Sequence, residues 1–137
     1  MYLILIGFLK KDLETLPQLK KRARASFQKW IRARDKNQTC ISCGTTYAKQ
    51  WDASHYYKAE THTGLIFDER NAHRSCSYCN SYLHGNLIDY RKGLIKRYGE
   101  AYVEHLEEIA DDKRVYKFSK EELRQIDKFY KQKLKEL

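Results

Sequence analysis

Apolar residues recur at helical spacing in four stretches of the chain and at shorter, irregular spacing in the middle. Ala23, Phe27, Trp30 and Ile31 fall at i, i+4, i+7 and i+8, so residues 18–35 are predicted to form an amphipathic helix. Leu87, Leu94, Ile95 and Tyr98 predict a second helix, ended by Gly99, and Tyr102, Val103, Leu106, Ile109 and Ala110 a short third one. Ser119 with Glu122 three residues on is a capping box; Leu123, Ile126, Tyr130, Leu134 and Leu137 then form the buried edge of a last helix. The middle reads differently. Residues 50–57 are short and aromatic, which predicts a strand, and residues 58–64 read as a loop. Leu65-Ile66-Phe67 is expected to be a second strand turning at residues 68–71, and a helix is expected to begin near Asn80. The opening run, Tyr2 to Leu9, suits an edge strand, a helix or a partner contact equally.

A chain of 137 residues fits one domain. Its expected parts are a basic N-terminal helical arm (1–39), a central core (40–86) and C-terminal helices (87–137). The apolar run at the start is far short of the ~20 residues that span a bilayer, so no membrane partner is expected. Lys10 and Lys11 follow that run instead of preceding it, unlike a secretory leader, and a cytoplasmic location is expected.

Charge adds a direction. Residues 1–39 carry ten basic and three acidic side chains, whereas residues 40–86 carry four of each. A basic segment beside a neutral centre suggests that a polyanion is gripped by one part and acted on by another. Lys20, Lys21, Arg22, Arg24 and Arg32 on the first helix are the candidate nucleic-acid contacts there.

All four cysteines sit in two C-x-x-C pairs, Cys40–Cys43 and Cys76–Cys79. Two matched pairs suit a tetrahedral structural zinc site, one ion per chain, better than disulfides or a redox motif. Metal binding would also stabilise a chain this small.

The 32 residues between Cys43 and Cys76 hold Asp52, His55 and Asn71, and Asn80 directly follows the second pair. Singly, each has an ordinary reading: a packed strand histidine, an aspartate paired with Arg70 or a backbone amide, a turn asparagine, a helix cap. Together, a His, an Asn five residues before a C-x-x-C and an Asn just after it resemble the HNH (ββα-metal, His-Me finger) nucleases. The phage endonuclease VII group shares the two knuckles and the C-x-x-C-Asn ending. Over roughly residues 18–137 the ordered set is similar to the phage lambda NinG (Rap) recombination nucleases. It runs Cys40-Ile-Ser-Cys-Gly, Trp51-Asp-Ala-Ser-His-Tyr56, Glu69-Arg-Asn-Ala-His73, Cys76-x-x-Cys-Asn80, Gly85-Asn-Leu87 and Tyr90-Arg91. Ser54 departs from that family's usual Gly, and His84 from its common Ser.

The resemblance implies an α+β fold. A zinc-stapled ββα core would stand between a basic N-terminal helix and C-terminal helices. It implies a metal-dependent endonuclease that cuts Holliday junctions or other branched DNA by phosphodiester hydrolysis. In those roles His55 is the general base and Asn71 holds its loop. Asp52 and Asn80 are hard oxygen ligands for catalytic Mg²⁺ or Mn²⁺, with His84 one helical turn beyond as a further candidate. Arg70, Arg74, Arg91 and Lys92 are candidate phosphate contacts or ordinary solvated charges, and His73 either touches the scissile phosphate or packs beside the zinc. Two opposed nicks in a two-fold junction suggest a homodimer, with the opening run or the last helix at its interface, and other phage recombination proteins as partners. The rival expectations are an HNH nicking enzyme without junction preference and a non-catalytic zinc module that binds nucleic acid.

Overall fold

The computed structural model describes residues 13–137; the Tyr2–Leu9 run lies outside them. Helix α1, Leu16–Arg34, starts two residues before the apolar pattern requires because Thr15 caps it. The Thr15 hydroxyl accepts from the Gln18 amide, the Gln18 side chain accepts from the Thr15 amide, and Pro17 occupies the first turn. Leu19, Ala23, Phe27, Trp30 and Ile31 are buried, as the spacing predicts.

Strand β1, Trp51–His55, pairs antiparallel with β2, Ala72–Cys76. Trp51 stands opposite Cys76 and His55 opposite Ala72. One end of this ribbon therefore meets the cysteines and the other carries His55. The expected strand at Leu65–Phe67 does not form. Thr63–Leu65 is a 3-10 turn, and the carbonyls of Leu65 and Ile66 are taken by side chains instead of by a neighbouring strand. A short apolar run cannot by itself separate a strand from a buried turn. The helix expected near Asn80 is also different. Tyr78–Tyr82 forms a single wide turn of π type, and helix α2 spans Leu87–Tyr98.

Helix α3, Glu100–Ala110, folds back beside α2 after Gly99, and α4 spans Lys120–Lys135 with the predicted Ser119–Glu122 capping box. The fold is thus mixed α+β, with one small two-stranded sheet among the described residues. Helix α4 runs parallel to α1: Leu123 packs with Leu19 and Ala23, and Tyr130 with Phe27 and Trp30. The Phe27 and Tyr130 rings meet edge to face at 5.0 Å. Phe27 also packs with Ala53 and Ala72, so α1 is wedged between α4 and the ribbon. The buried edge of α4 ends before Leu137, which is 66% exposed. A second core joins Tyr90, Leu94 and Val103 to Ile41 of the first knuckle. Among the described residues no helix is long and apolar enough to cross a membrane.

Gly93 sets how closely α2 approaches that knuckle. A Cβ there would lie 1.8 Å from the Ile41 carbonyl oxygen, a backbone atom that cannot swing aside. Gly93→Ala is therefore expected to destabilise the fold by about 1–3 kcal/mol in denaturant unfolding, as overpacking does. Unchanged stability would contradict this close docking.

Candidate functional site

The two knuckles bring four thiols together. One ligand atom from each of Cys40, Cys43, Cys76 and Cys79 lies within 4.8 Å of all the others, and Cys43 and Cys76 sulfurs are 3.8 Å apart. Four sulfurs ~2.3 Å from a central zinc would stand ~3.8 Å from one another, so the donor set fits a tetrahedral zinc in chemistry and spacing. Backbone amides point at the sulfurs: Cys43 N–H to Cys40 Sγ and Cys79 N–H to Cys76 Sγ, both at 3.5 Å. Among the described residues this is the one cluster of three or more His, Cys, Asp or Glu side chains close enough to share an ion.

At the far end of β1, His55 borders a cleft of about 390 Å³ together with Arg24, Lys58, Glu60, Asn80 and His84. Its Nε2 lies 2.8 Å from the Ile66 carbonyl oxygen, which can only accept, so Nε2 carries the hydrogen. That leaves Nδ1 as the acceptor of the neutral ring, and among the described residues nothing bonds to it. Burial, and Arg24 beside it, lower the pKa of His55 below the ordinary imidazole value, against the opposing pull of the Ile66 carbonyl and Glu60. At neutral pH the ring is therefore a neutral base with a fixed tautomer.

Asn71 fixes the surroundings of that ring. It is fully buried. Its Oδ1 accepts from the Tyr57 amide at 2.8 Å, and its Nδ2 donates to the carbonyls of Tyr57 (2.9 Å) and Leu65 (3.2 Å). It thus ties the chain just after His55 to the turn whose next carbonyl, Ile66, orients His55. Asn71 does not reach the cleft surface, so it is a positioning residue.

Asp52 and Ser54 share the opposite face of β1 from Ala53 and His55, as strand alternation requires. Asp52 consequently does not line the cleft, and it does not pair with Arg70. It reaches the cleft only through Asn80: Asn80 Nδ2 donates to Asp52 at 3.0 Å and Ser54 Oγ donates to Asn80 Oδ1 at 2.8 Å. Gln50 Nε2 donates to the other Asp52 oxygen at 2.8 Å. Asn80 sits in mid-turn and caps no helix. His84 opens a run of three left-handed residues, with φ of 52° at His84, 96° at Gly85 and 47° at Asn86. Such backbone persists only where neighbours hold it. Here Gly85 N–H donates to the Cys79 carbonyl (2.8 Å), Ser42 Oγ to the Gly85 carbonyl (3.3 Å) and Asn86 Nδ2 to Cys79 Sγ (3.5 Å). The loop presenting His84 is therefore anchored to both knuckles.

The predicted basic contacts divide into two groups. Lys20, Lys21, Arg24 and Gln28 line a groove along α1, and Arg24 and Gln28 also line the His55 cleft, so the groove opens into it. Arg32 lies one turn beyond Gln28 on the same side of the helix. The other guanidiniums are engaged within the fold. Arg22 meets Glu14 at 2.6 Å and Asp127 at 3.6 Å, Arg70 meets Asp68 at 2.6 Å, and Arg91 meets Glu107 at 3.0 Å. Arg74 stacks 3.7 Å from the centre of the Trp51 ring and donates to the carbonyls of Asp35 and Lys36. Lys58, Glu60 and Gln28 were not singled out by the sequence, where nothing distinguishes them from ordinary loop and helix polar residues.

His73 offers no surface to a phosphate and does not sit with the cysteines. It is 1% exposed, beside Tyr90 and Tyr102, with Nδ1 3.1 Å from the Tyr90 hydroxyl. The Tyr90 hydroxyl itself donates to the Ser54 carbonyl at 2.7 Å, which pins the back of β1. Burial pushes the His73 pKa down to about 3. The unfolded chain then takes up a proton below pH ~6.5 that the folded chain refuses, so stability falls as pH drops through that range. From pH 7 to pH 5 this one group is expected to cost about 2 kcal/mol. His73→Gln should lose that part of the slope in unfolding measured across the two pH values; an identical slope would contradict it.

The family model described as "Bacteriophage Lambda NinG protein" matches residues 8–137. The chain belongs to the NinG family. It is similar to the protein ninG of Salmonella phage P22, at 44% identity over 117 residues, which cover 85% of this chain and 56% of that relative. The protein ninG of Escherichia phage 933W is 43% identical over 85% of this chain and 57% of its own length. That of Escherichia phage lambda is 41% identical over 85% and 56%. The chain thus spans little more than half the length of the NinG relatives it matches. No solved structure matches it.

Proposed function

We propose that this chain is a metal-dependent endonuclease of the HNH type that cuts branched DNA such as Holliday junctions. The observation that carries the reading is His55: its Nε2 is committed to the Ile66 carbonyl, which leaves Nδ1 as its acceptor, and the residue borders a cleft that shares Arg24 and Gln28 with the basic groove of α1. A neutral imidazole held in one tautomer suits removal of a proton from water beside a bound phosphodiester. A groove lined by Lys20, Lys21 and Arg24 suits the backbone of DNA, whose contacts supply affinity without reading sequence. The antiparallel pair β1–β2, followed by a single helical turn carrying Asn80, supports the ββα order that the resemblance implies, with one turn in place of a full helix.

In this reading His55 accepts the water proton at Nδ1. Asn71 holds the Ile66 turn and so the direction of the ring. Arg24 and Lys58 steady the phosphate. Asn80 and His84 would hold a catalytic Mg²⁺ or Mn²⁺; their sparse set of donors suits a cation that keeps waters and takes oxygens from substrate. Such a cation would supply Lewis-acid stabilisation of charge on the phosphate and the leaving oxygen. Asp52, on the other face of β1, orients the Asn80 amide. The cysteine site would carry structural zinc. The active form is a homodimer in the host cytoplasm, serving phage recombination with other proteins of that process.

The test is incubation of the purified chain with a labelled four-way junction and a matched linear duplex, with Mg²⁺ or Mn²⁺. Preferential nicking of the junction near its branch point is the expected result. Equal nicking of both would make it an HNH enzyme without junction preference. Binding of both with no cutting under either metal would make it a non-catalytic zinc module.

A further inference from the structure

A second basic groove lies away from the His55 cleft. It has a volume of about 500 Å³, with the first cysteine knuckle, residues 38–44, as one wall and Asp89, Lys92, Lys96 and Arg97 of α2 as the other. Leu87, which lines the His55 cleft, and Asp89 are two positions apart, ~200° around the helix. The groove and the cleft therefore use opposite sides of α2.

The charges of the groove are unspent. Lys92 and Lys96 are exposed and form no ion pair among the described residues, whereas Arg91 on the same helix is paired with Glu107. Arg97 Nη2 donates to the Thr39 carbonyl at 3.1 Å, while its Nη1 is buried with no acceptor among the described residues. Arg97 thus ties α2 to the first knuckle with one nitrogen, and its positive charge adds to that of Lys92 and Lys96 at the groove. Three cations face one carboxylate. The walls are also rigid: one is stapled by the cysteine site, and Gly93 seats the other directly on the Ile41 backbone.

We propose that this groove binds the phosphate backbone of a second duplex arm, separate from the arm that follows α1. The inference rests on the nucleic-acid reading above and deepens it. A linear duplex lying along α1 uses one groove. A branched molecule, whose arms diverge at the branch point, can fill both. Selectivity for branched DNA then arises from two backbone-binding tracks on opposite sides of α2, with no need for base contacts.

The test is anisotropy binding of a labelled four-way junction and a linear duplex of the same length across a salt series, with wild type and the Lys92→Ala/Lys96→Ala double variant. Both lysines are exposed and unpaired, so the fold is retained. The double variant is expected to lose at least about tenfold in junction affinity, and its salt slope on the junction to fall by about 2. Its duplex affinity should stay within about twofold of wild type. Equal loss on both DNAs would overturn the proposal, because one shared track would then serve both. No loss on either would overturn it as well. In both of those outcomes a wild type that nicks the junction leaves the nuclease reading standing, whereas a wild type that binds no DNA at all removes both.

Discussion

Stripping metal from the four cysteines is expected to unfold the chain. A strong chelator, or Cys79→Ser, should abolish the cooperative thermal transition and most of the helical circular dichroism, and zinc analysis of the intact protein should give about one ion per chain. The reason is architectural. The second core, which joins α2 and α3 to the first knuckle, converges on Ile41, and α2 touches the Ile41 backbone through Gly93. Cys79 additionally anchors the left-handed run at residues 84–86. Structural zinc contributes ~10–16 kcal/mol of apparent binding energy in small zinc-dependent peptides. That is comparable to or larger than the ~5–15 kcal/mol by which whole domains are stable. A metal-free chain that keeps its transition, with the cysteines joined as two disulfides, would contradict this.

His55→Ala is expected to lower junction cleavage by about 10²–10⁴-fold, the range assigned to a positioned general base. Junction affinity should stay within a few-fold of wild type, because binding in this account comes from Lys20, Lys21 and Arg24 along α1 and from Lys92 and Lys96 in the second groove, not from His55. The split between lost chemistry and kept binding is the signature. Asn71→Ala should produce a different pattern. It removes three buried hydrogen bonds, two to the Tyr57 backbone and one to the Leu65 carbonyl, that tie the chain after His55 to the turn of Leu65 and Ile66, so cleavage and thermal stability fall together. Loss of affinity in His55→Ala comparable to its loss of rate would place the imidazole in substrate binding instead.

Much of this arrangement was legible in the sequence, for identifiable reasons. Helical spacing located α1, α3 and α4 because each buries one apolar stripe, and it located α2 with Gly99 at its end, though there Tyr90 and Leu94 are the buried residues while Leu87 and Tyr98 stay exposed. The paired C-x-x-C motifs located the cysteine cluster because the ligands of each half lie within one turn. The segment between the knuckles was harder. Leu65-Ile66-Phe67 resembles a strand, but its carbonyls are spent on Asn71 and His55, two side chains that the sequence places six and eleven residues away. The real partner of β1, Ala72–Cys76, carries His73, Arg74 and Ser75, a polar composition that hides a strand. Asp52 and His55 look adjacent in sequence, yet their difference of three in a strand puts them on opposite faces. The burial of His73 depends on Tyr90 and Tyr102, contributed by two different helices, and no local pattern announces it.

The most direct measurement is single-turnover incubation of wild type and His55→Ala with an end-labelled four-way junction in Mn²⁺, with binding followed on the same samples. The account predicts discrete nicks near the branch point with wild type, none above background with His55→Ala, and similar binding by both. Wild type that binds the junction and leaves it intact in both Mn²⁺ and Mg²⁺, or a His55→Ala variant that cuts as fast as wild type, would contradict it.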